Sequence, residues 1–258
     1  MKEEPSLAFE TELVAISGVS HVIGVDEVGR GCLAGDVFSG AVCFRSKVYS
    51  SHESAQEIYK SHPWLRAIKD SKLLTRMARK YLYGELTGRL DVEQLGADVA
   101  FSLGRASSAE IDQINILQAT FLSMARAIVG LLMQPFMKAT TPDDVIAVIV
   151  DGKLPLSPFA WVKAWEEVGI SDPPKLLSKP KIKADASCLS VAVASVLAKE
   201  ARDIYAETLL ESAYPGYGFA KHKGYGTKAH LQALNKLGPT HVHRYSFSPV
   251  ARLKNQSL

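Results

Sequence analysis

Apolar positions along this chain change their period several times, and the changes mark its elements. From His21 to Glu27 the residues are apolar until Asp26 and Glu27, the pattern of a buried strand that ends in acids. Gly29, Gly31 and Gly35 predict a turn into a second strand, Val37 to Phe44. Residues 45–68 are polar and mixed, and a helix is expected from about Thr75 to Arg89. Val99, Phe101 and Leu103 alternate within 97–103 and predict a third strand.

The strongest helical signal follows. Ser107 and Glu110 have the spacing of a capping box, and Ile111, Ile114, Leu117, Phe121, Ala125, Ile128 and Leu132 recur at helical intervals, predicting a long helix over 108–133. Val145 to Val150 is short and rich in β-branched residues, so it predicts a central strand buried on both faces and ending at Asp151-Gly152. Residues 152–178 hold Pro155, Pro158, Pro173 and Pro174 around a short helix near Phe159 to Val168, and are expected to be an irregular insertion anchored by Trp161 and Trp165. A short strand at Lys181 to Lys183 leads to Asp185. A small-residue helix from Ser187 to about Leu210 is expected to pack closely through Ala192, Ala194, Ser195 and Ala198. A glycine-rich loop, Tyr214 to Thr227, precedes a last helix, Lys228 to Leu237, stopped by Gly238-Pro239.

Composition narrows the class. With 258 residues, 47% hydrophobic and 22% charged, the chain has ordinary globular usage. Its length suits one catalytic domain, 1–211, with an extension, 212–258. Residues 1–20 place Lys2, Glu3, Glu4, Glu10 and Glu12 where a secretory signal needs a basic start and an apolar core. The longest clean apolar run, Val145 to Val150, is too short to span a bilayer, so no membrane association is expected. Cys32, Cys43 and Cys188 form no CxxC pair and are odd in number, against both a disulfide framework and a zinc site; a cytoplasmic location is expected. The net charge of +3 is unevenly divided: residues 212–258 carry seven Lys/Arg and no Asp or Glu, leaving 23 Lys/Arg against 27 Asp/Glu before them. That basic, aromatic extension suits phosphate contacts and stacking, although basic surfaces also occur on proteins that bind nothing.

Acids are poor strand formers, yet Asp26, Glu27 and Asp151 end the two most apolar strands, and Asp185 opens a helix. Taken singly, Asp151 opens a turn and Asp185 caps a helix. Together, at sheet ends where ligands gather, crowded carboxylates without His or Cys point to Mg²⁺ or Mn²⁺, and a pair of such ions serves phosphodiester hydrolysis. Gly29-Arg30-Gly31 adds backbone that a ligand can approach and a guanidinium for phosphate.

The ordered motifs resemble one family. They are Gly24-Val25-Asp26-Glu27-Val28-Gly29-Arg30-Gly31, Asp70-Ser71-Lys72-Leu73, Glu110-Ile111-Asp112, Val150-Asp151-Gly152, Lys183-Ala184-Asp185 with Leu189-Ser190, Tyr214 to Phe219, His222 to Thr227, and His243-Arg244. In these the chain resembles ribonuclease HII, the type 2 ribonuclease H of bacteria. The resemblance implies an α/β ribonuclease H-like mixed sheet flanked by helices, with a helical C-terminal extension. It also implies cleavage of the RNA strand of RNA–DNA hybrids and nicking 5′ of single ribonucleotides in duplex DNA, leaving 3′-OH and 5′-phosphate ends. Asp26, Glu27, Asp151 and Asp185 align with the family's metal-binding acids. Gly29, Arg30 and Gly31 align with its turn that reads the ribose 2′-OH, and Tyr225 with the tyrosine set against the following deoxyribose. Lys72, Lys183 and Ser190 carry over as phosphate contacts. Cys32 and Asp36 stand where the family usually has prolines, and Asp36 adds an acid near the expected cluster. A monomer is expected. The alternatives are a non-catalytic hybrid-binding protein and a ribonuclease HIII-like enzyme, whose extra N-terminal domain the residues before the first strand are expected to leave no room for.

Overall fold

The apolar run that ends in acids forms β1 (Val19–Val28), and the segment after the glycine turn forms β2 (Val37–Phe44). With β3 (Val99–Ala106), β4 (Val145–Asp151) and β5 (Lys175–Lys181) they make one sheet of order β3-β2-β1-β4-β5. β1, β2 and β3 pair antiparallel, while β4 and β5 run parallel to β1 and to each other. This computed structural model describes residues 4–49, 52–68, 74–87, 98–134, 137 and 141–254.

Side chains alternate across a strand, so each central strand feeds two cores. Ile23, Val25, Val148 and Val150 pack beneath α4 (Ser108–Leu132) and α5 (Pro158–Glu166). Val22, Ala147 and Ile149 face the other way, toward Ala184, Cys188 and Val191, at the start of α7 (Leu189–Tyr205). Double coverage is why β4 reads as an unbroken apolar run. The small residues of α7 let it approach the sheet until a Cβ on Gly24 would lie 2.3 Å from Ser190 Oγ and 2.5 Å from Val191 N, so only bare backbone fits there.

The capping box forms as expected: Ser107 Oγ accepts the Glu110 N–H, and the Glu110 carboxylate accepts the Ser107 N–H. Near its start α4 is interrupted at Asn115 (φ 64, ψ 163), whose Oδ1 accepts the N–H groups of Leu117 and Gln118 and caps the helix afresh. By length and composition α4 would cross a membrane, but most of that stretch is buried in the protein, as in a core helix. The described residues before the C-terminal region also form α1 (Ala8–Val14), α2 (His52–Ser61), α3 (Arg76–Thr87) and the single turn α6 (Ala184–Ser187).

Two expectations are corrected. The segment 152–178 holds the crossover helix α5 and the first residues of β5, with Trp161 and Trp165 buried in the core under α4 and the Trp161 indole N–H donating to the Pro174 carbonyl at 3.0 Å. Its strand hid because β5 lies at the sheet edge, where Lys175, Lys179, Lys181 and Pro180 are tolerated. The strand therefore ends at Lys181 instead of spanning 181–183. The helix expected over 187–210 is broken at Cys188, which is extended (φ −109, ψ 124), and finishes in a π-helical turn, Ala206–Leu210.

Beyond it, α8 (Lys228–Leu237), α9 (Ser248–Lys254) and a helical turn at Phe219–His222 gather around Tyr217, Phe219, Leu234 and Val250, and this cluster continues into Leu33, Ala34 and Leu210. Asp112 of α4 ties the region down by accepting the N–H groups of Tyr245 and Ser246 and the Ser246 hydroxyl. The mixed sheet, its flanking helices and the helical C-terminal region match the expected fold.

Candidate active site

The parallel register sets Val25 beside Val150, so Asp26 and Asp151 follow next to each other just past the last pair of the β1–β4 ladder, β4 ending at Asp151 and β1 running on to Val28 beside β2. By alternation both lie on the α7 side of the sheet, while Glu27 starts on the α4 side. Asp26 is buried; the Glu27 N–H donates to its Oδ1 at 2.8 Å and the Ser195 hydroxyl of α7 donates to its carboxylate. Asp151 Oδ1 accepts the Ala184 N–H at 2.8 Å, which fastens α6, and with it the buried Asp185, to the end of β4.

Burial pushes the Asp26 carboxyl well above the usual carboxylate range, and the charges of Glu27 and Asp151 push it further. Glu27 is raised by burial too, against the pull of Arg30, whose Nη1 is 3.4 Å from its Oε1. Such a set gains from a hard cation: its donors are all carboxylate oxygens and it is under like-charge strain, which fits Mg²⁺ or Mn²⁺ in chemistry. Among the described residues no three His, Cys, Asp or Glu side chains already stand as an assembled metal shell. Asp26 and Asp151 each accept a backbone N–H, and Glu27 pairs with Arg30.

The turn after β1 is built differently. Gly29 has φ +94, and a Cβ there would lie 2.1 Å from Arg202 Nε, so its bareness faces inward. A Cβ on Gly31 would meet nothing within 4 Å, so this glycine faces open space, beside an Arg30 side chain that is 49% exposed. A side chain would therefore fit at Gly31 and not at Gly29. Two fully buried arginines hold the turn by its carbonyls. Arg244 donates to Arg30 O at 2.9 Å and twice to Gly35 O, at 3.0 and 2.8 Å; burial lowers its pKa to about 10. Arg202 donates to Ala34 O at 3.2 Å, Asp36 O at 3.0 Å and Lys223 O at 2.8 Å. Asp36 itself sits among Arg105, Arg202 and Arg244, with Arg105 Nη1 at 3.7 Å, so it belongs to this basic surrounding instead of adding to the acid cluster.

Tyr225 joins the turn through a backbone bridge to Cys32 and through the Leu33 N–H, which donates to Gly224 O at 2.8 Å; its side chain is partly exposed. Behind it three histidines cluster. The Thr240 N–H donates to His243 Nδ1 at 3.0 Å, which leaves that ring's proton on Nε2, 3.3 Å from His230 Nε2. His230 then carries its own proton on Nδ1 and donates it to the Tyr225 carbonyl at 3.0 Å. Burial lowers both pKa values to about 4, so this is a neutral chain, and His222 stacks on His230 with ring centres 4.3 Å apart. They are packing groups with satisfied nitrogens.

Three of the expected phosphate contacts fare differently. Lys72 lies outside the described residues. Lys183 is exposed, in a left-handed conformation (φ 57, ψ 40) just before α6, two residues from Asp185. Ser190 is corrected: it is buried and spends both its N–H and its hydroxyl on Glu10 Oε1, at 2.9 and 2.7 Å, which docks α1 onto α7. Sequence reasoning missed Arg202 altogether, although a charged residue spaced by four from Ala194 and Ala198 on an otherwise small-residue face was a visible signal.

Comparison with known proteins agrees with this architecture. Residues 23–250 match the family description ribonuclease HII. The ribonuclease HII of Nitrosococcus oceani is 40% identical over 234 residues, covering 90% of this chain and 90% of that one. In fold the chain is similar to the crystal structure of ribonuclease H2 from Pyrococcus horikoshii OT3, with a TM-score of 0.59 at 22% identity over 92% of this chain and 98% of that one. It is similar also to Bst-RNase HIII in complex with Mn²⁺, with a TM-score of 0.58 at 17% identity over 95% and 72%. Sheet order, helical coverage and sequence identity over nine-tenths of its length converge, and this chain belongs to the ribonuclease HII family of endoribonucleases.

Proposed function

We propose that this protein cuts the RNA strand of RNA–DNA hybrids and nicks DNA duplexes on the 5′ side of single embedded ribonucleotides, leaving 3′-OH and 5′-phosphate ends. The observation that carries the reading is the juxtaposition of Asp26 and Asp151 just past the last pair of the parallel β1–β4 ladder, with Asp26 three residues before a turn that has one open glycine. In this reading Asp26, Glu27, Asp151 and Asp185 hold two divalent ions, Mg²⁺ or Mn²⁺. When bound, such ions supply an activated water and neutralise charge on the leaving oxygen. The Mn²⁺ complex of the HIII relative supports that choice of metal.

The chain's own groups then divide the work. Gly31 lets backbone reach the ribose 2′-OH, the group that separates RNA from DNA at one nucleotide. Arg30 reaches a phosphate with its exposed guanidinium. Tyr225 lies against the deoxyribose that follows, and Lys183 offers an ammonium beside Asp185. Ser195 keeps Asp26 oriented from behind.

The test is incubation of the protein with Mg²⁺ or Mn²⁺ and a DNA duplex carrying one ribonucleotide, with the product ends mapped. A nick on the 5′ side of the ribonucleotide, dependent on the metal, is expected. An intact duplex, or cutting that ignores the ribonucleotide, overturns the reading.

A further inference from the structure

Arg202 has no exposed surface, yet it reaches two segments of chain that are far apart in sequence. Its guanidinium fork donates to Ala34 and Asp36 on the turn and to Lys223 on the loop that carries Tyr225. Three glycines with positive φ surround it: Gly29 (+94) and Gly35 (+80) from the turn, and Gly224 (+84) from the loop. A Cβ on Gly29 would collide with Nε at 2.1 Å, while those on Gly35 and Gly224 would stand 3.7 and 3.6 Å from Nη2. The seat is therefore shaped by bare backbone on both sides of one seam. The Arg244 guanidinium, by contrast, donates to the turn, at Arg30 and Gly35.

The consequence rests on the proposed function, in which the turn meets a ribose 2′-OH and Tyr225 meets the next sugar. Two contacts with successive nucleotides work together only when their separation matches the nucleotide repeat. We propose that Arg202 is a positioning residue that sets the distance between the Gly29-Arg30-Gly31 turn and Tyr225, and thereby the preference for a ribonucleotide followed by DNA over continuous hybrid. A planar fork of fixed donors suits this role and a lysine does not, since one ammonium on a flexible stem cannot hold three carbonyls at set angles. In continuous hybrid the sugar facing Tyr225 is a ribose, so cutting there depends on the turn alone and tolerates a change in separation.

The experiment compares wild type with Arg202→Lys on two substrates, a DNA duplex with one ribonucleotide and a continuous RNA–DNA hybrid, each over a range of concentrations. We expect the ratio of the two kcat/KM values to move roughly tenfold toward the hybrid, through a higher KM on the single-ribonucleotide duplex. Because both values come from one preparation, partial unfolding cancels in the ratio. An unchanged ratio in an active Arg202→Lys protein overturns the proposal and leaves the proposed function standing. Wild type inactive on both substrates overturns the proposed function, and this inference with it. Should Arg202→Lys not fold, Gly224→Ala opens the same seam from the other side, since its methyl would stand 2.5 Å from the Ala34 carbonyl, and the same ratio decides.

Discussion

The two halves of the site are built on opposite principles. On the acid side, Asp26 and Asp151 are brought together by strand register and oriented by the Ser195 hydroxyl and the Ala184 N–H, and their mutual repulsion works against the fold. On the turn side, placement comes from two buried guanidinium groups that bind carbonyls across long stretches of chain, and their hydrogen bonds work for the fold. The contrast teaches that the acids proposed to be catalytic are held despite their chemistry, by a rigid sheet, whereas the turn proposed to read the sugar is held by its chemistry, having no regular structure of its own.

The sharpest way to break the comparison is Asp26→Asn. Cleavage should fall by roughly 10³-fold or more while binding to RNA–DNA hybrid persists. The same change removes a buried charge beside Glu27 and Asp151, so thermal stability should rise by about 1 kcal/mol. Single-turnover cleavage, hybrid binding and a melting curve together check it; a destabilised protein would refute the idea of strain on the acid side.

Arg244→Met probes the other half and should have the opposite sign. Leaving the Arg30 and Gly35 carbonyls without donors should cost about 3 kcal/mol in denaturant unfolding. A neutral outcome would mean that the turn holds its shape without the arginines.

The smallest effect concerns pH and the histidines behind Tyr225. His230 and His243 have folded pKa values near 4, below the ordinary 6.5, so the unfolded chain takes up protons first as the pH falls. Their contribution is complete above pH 6.5 and is lost on going down toward 4, by about 1–2 kcal/mol for each ring between pH 7 and 5. Melting curves of wild type and His230→Phe across that range should converge toward low pH; parallel curves would assign the proton uptake elsewhere.

Much of the fold was legible because its central elements obey one period each. β1, β4 and α4 bury faces that local patterning declares, and the Ser107–Glu110 capping box is a local bond. β5 was not legible, since an edge strand with Lys175, Lys179 and Pro180 carries no apolar signature. Among the site residues, Asp26 and Asp151 stood out as acids that end apolar strands. Ser190 misled, because nothing nearby in sequence shows that Glu10 claims it. Gly29 and Gly31 read alike, yet one makes room for Arg202 and the other faces outward.

By itself, then, the sequence determined the strands that end in acids, the long capped helix and the family, because these rest on neighbouring residues and on ordered motifs. Tertiary structure alone decided that Arg202 joins the turn to the Tyr225 loop, that His230 and His243 stay neutral, and that Ser190 serves Glu10. Each of those depends on burial and on partners many residues away, and neither is written in the period of a chain.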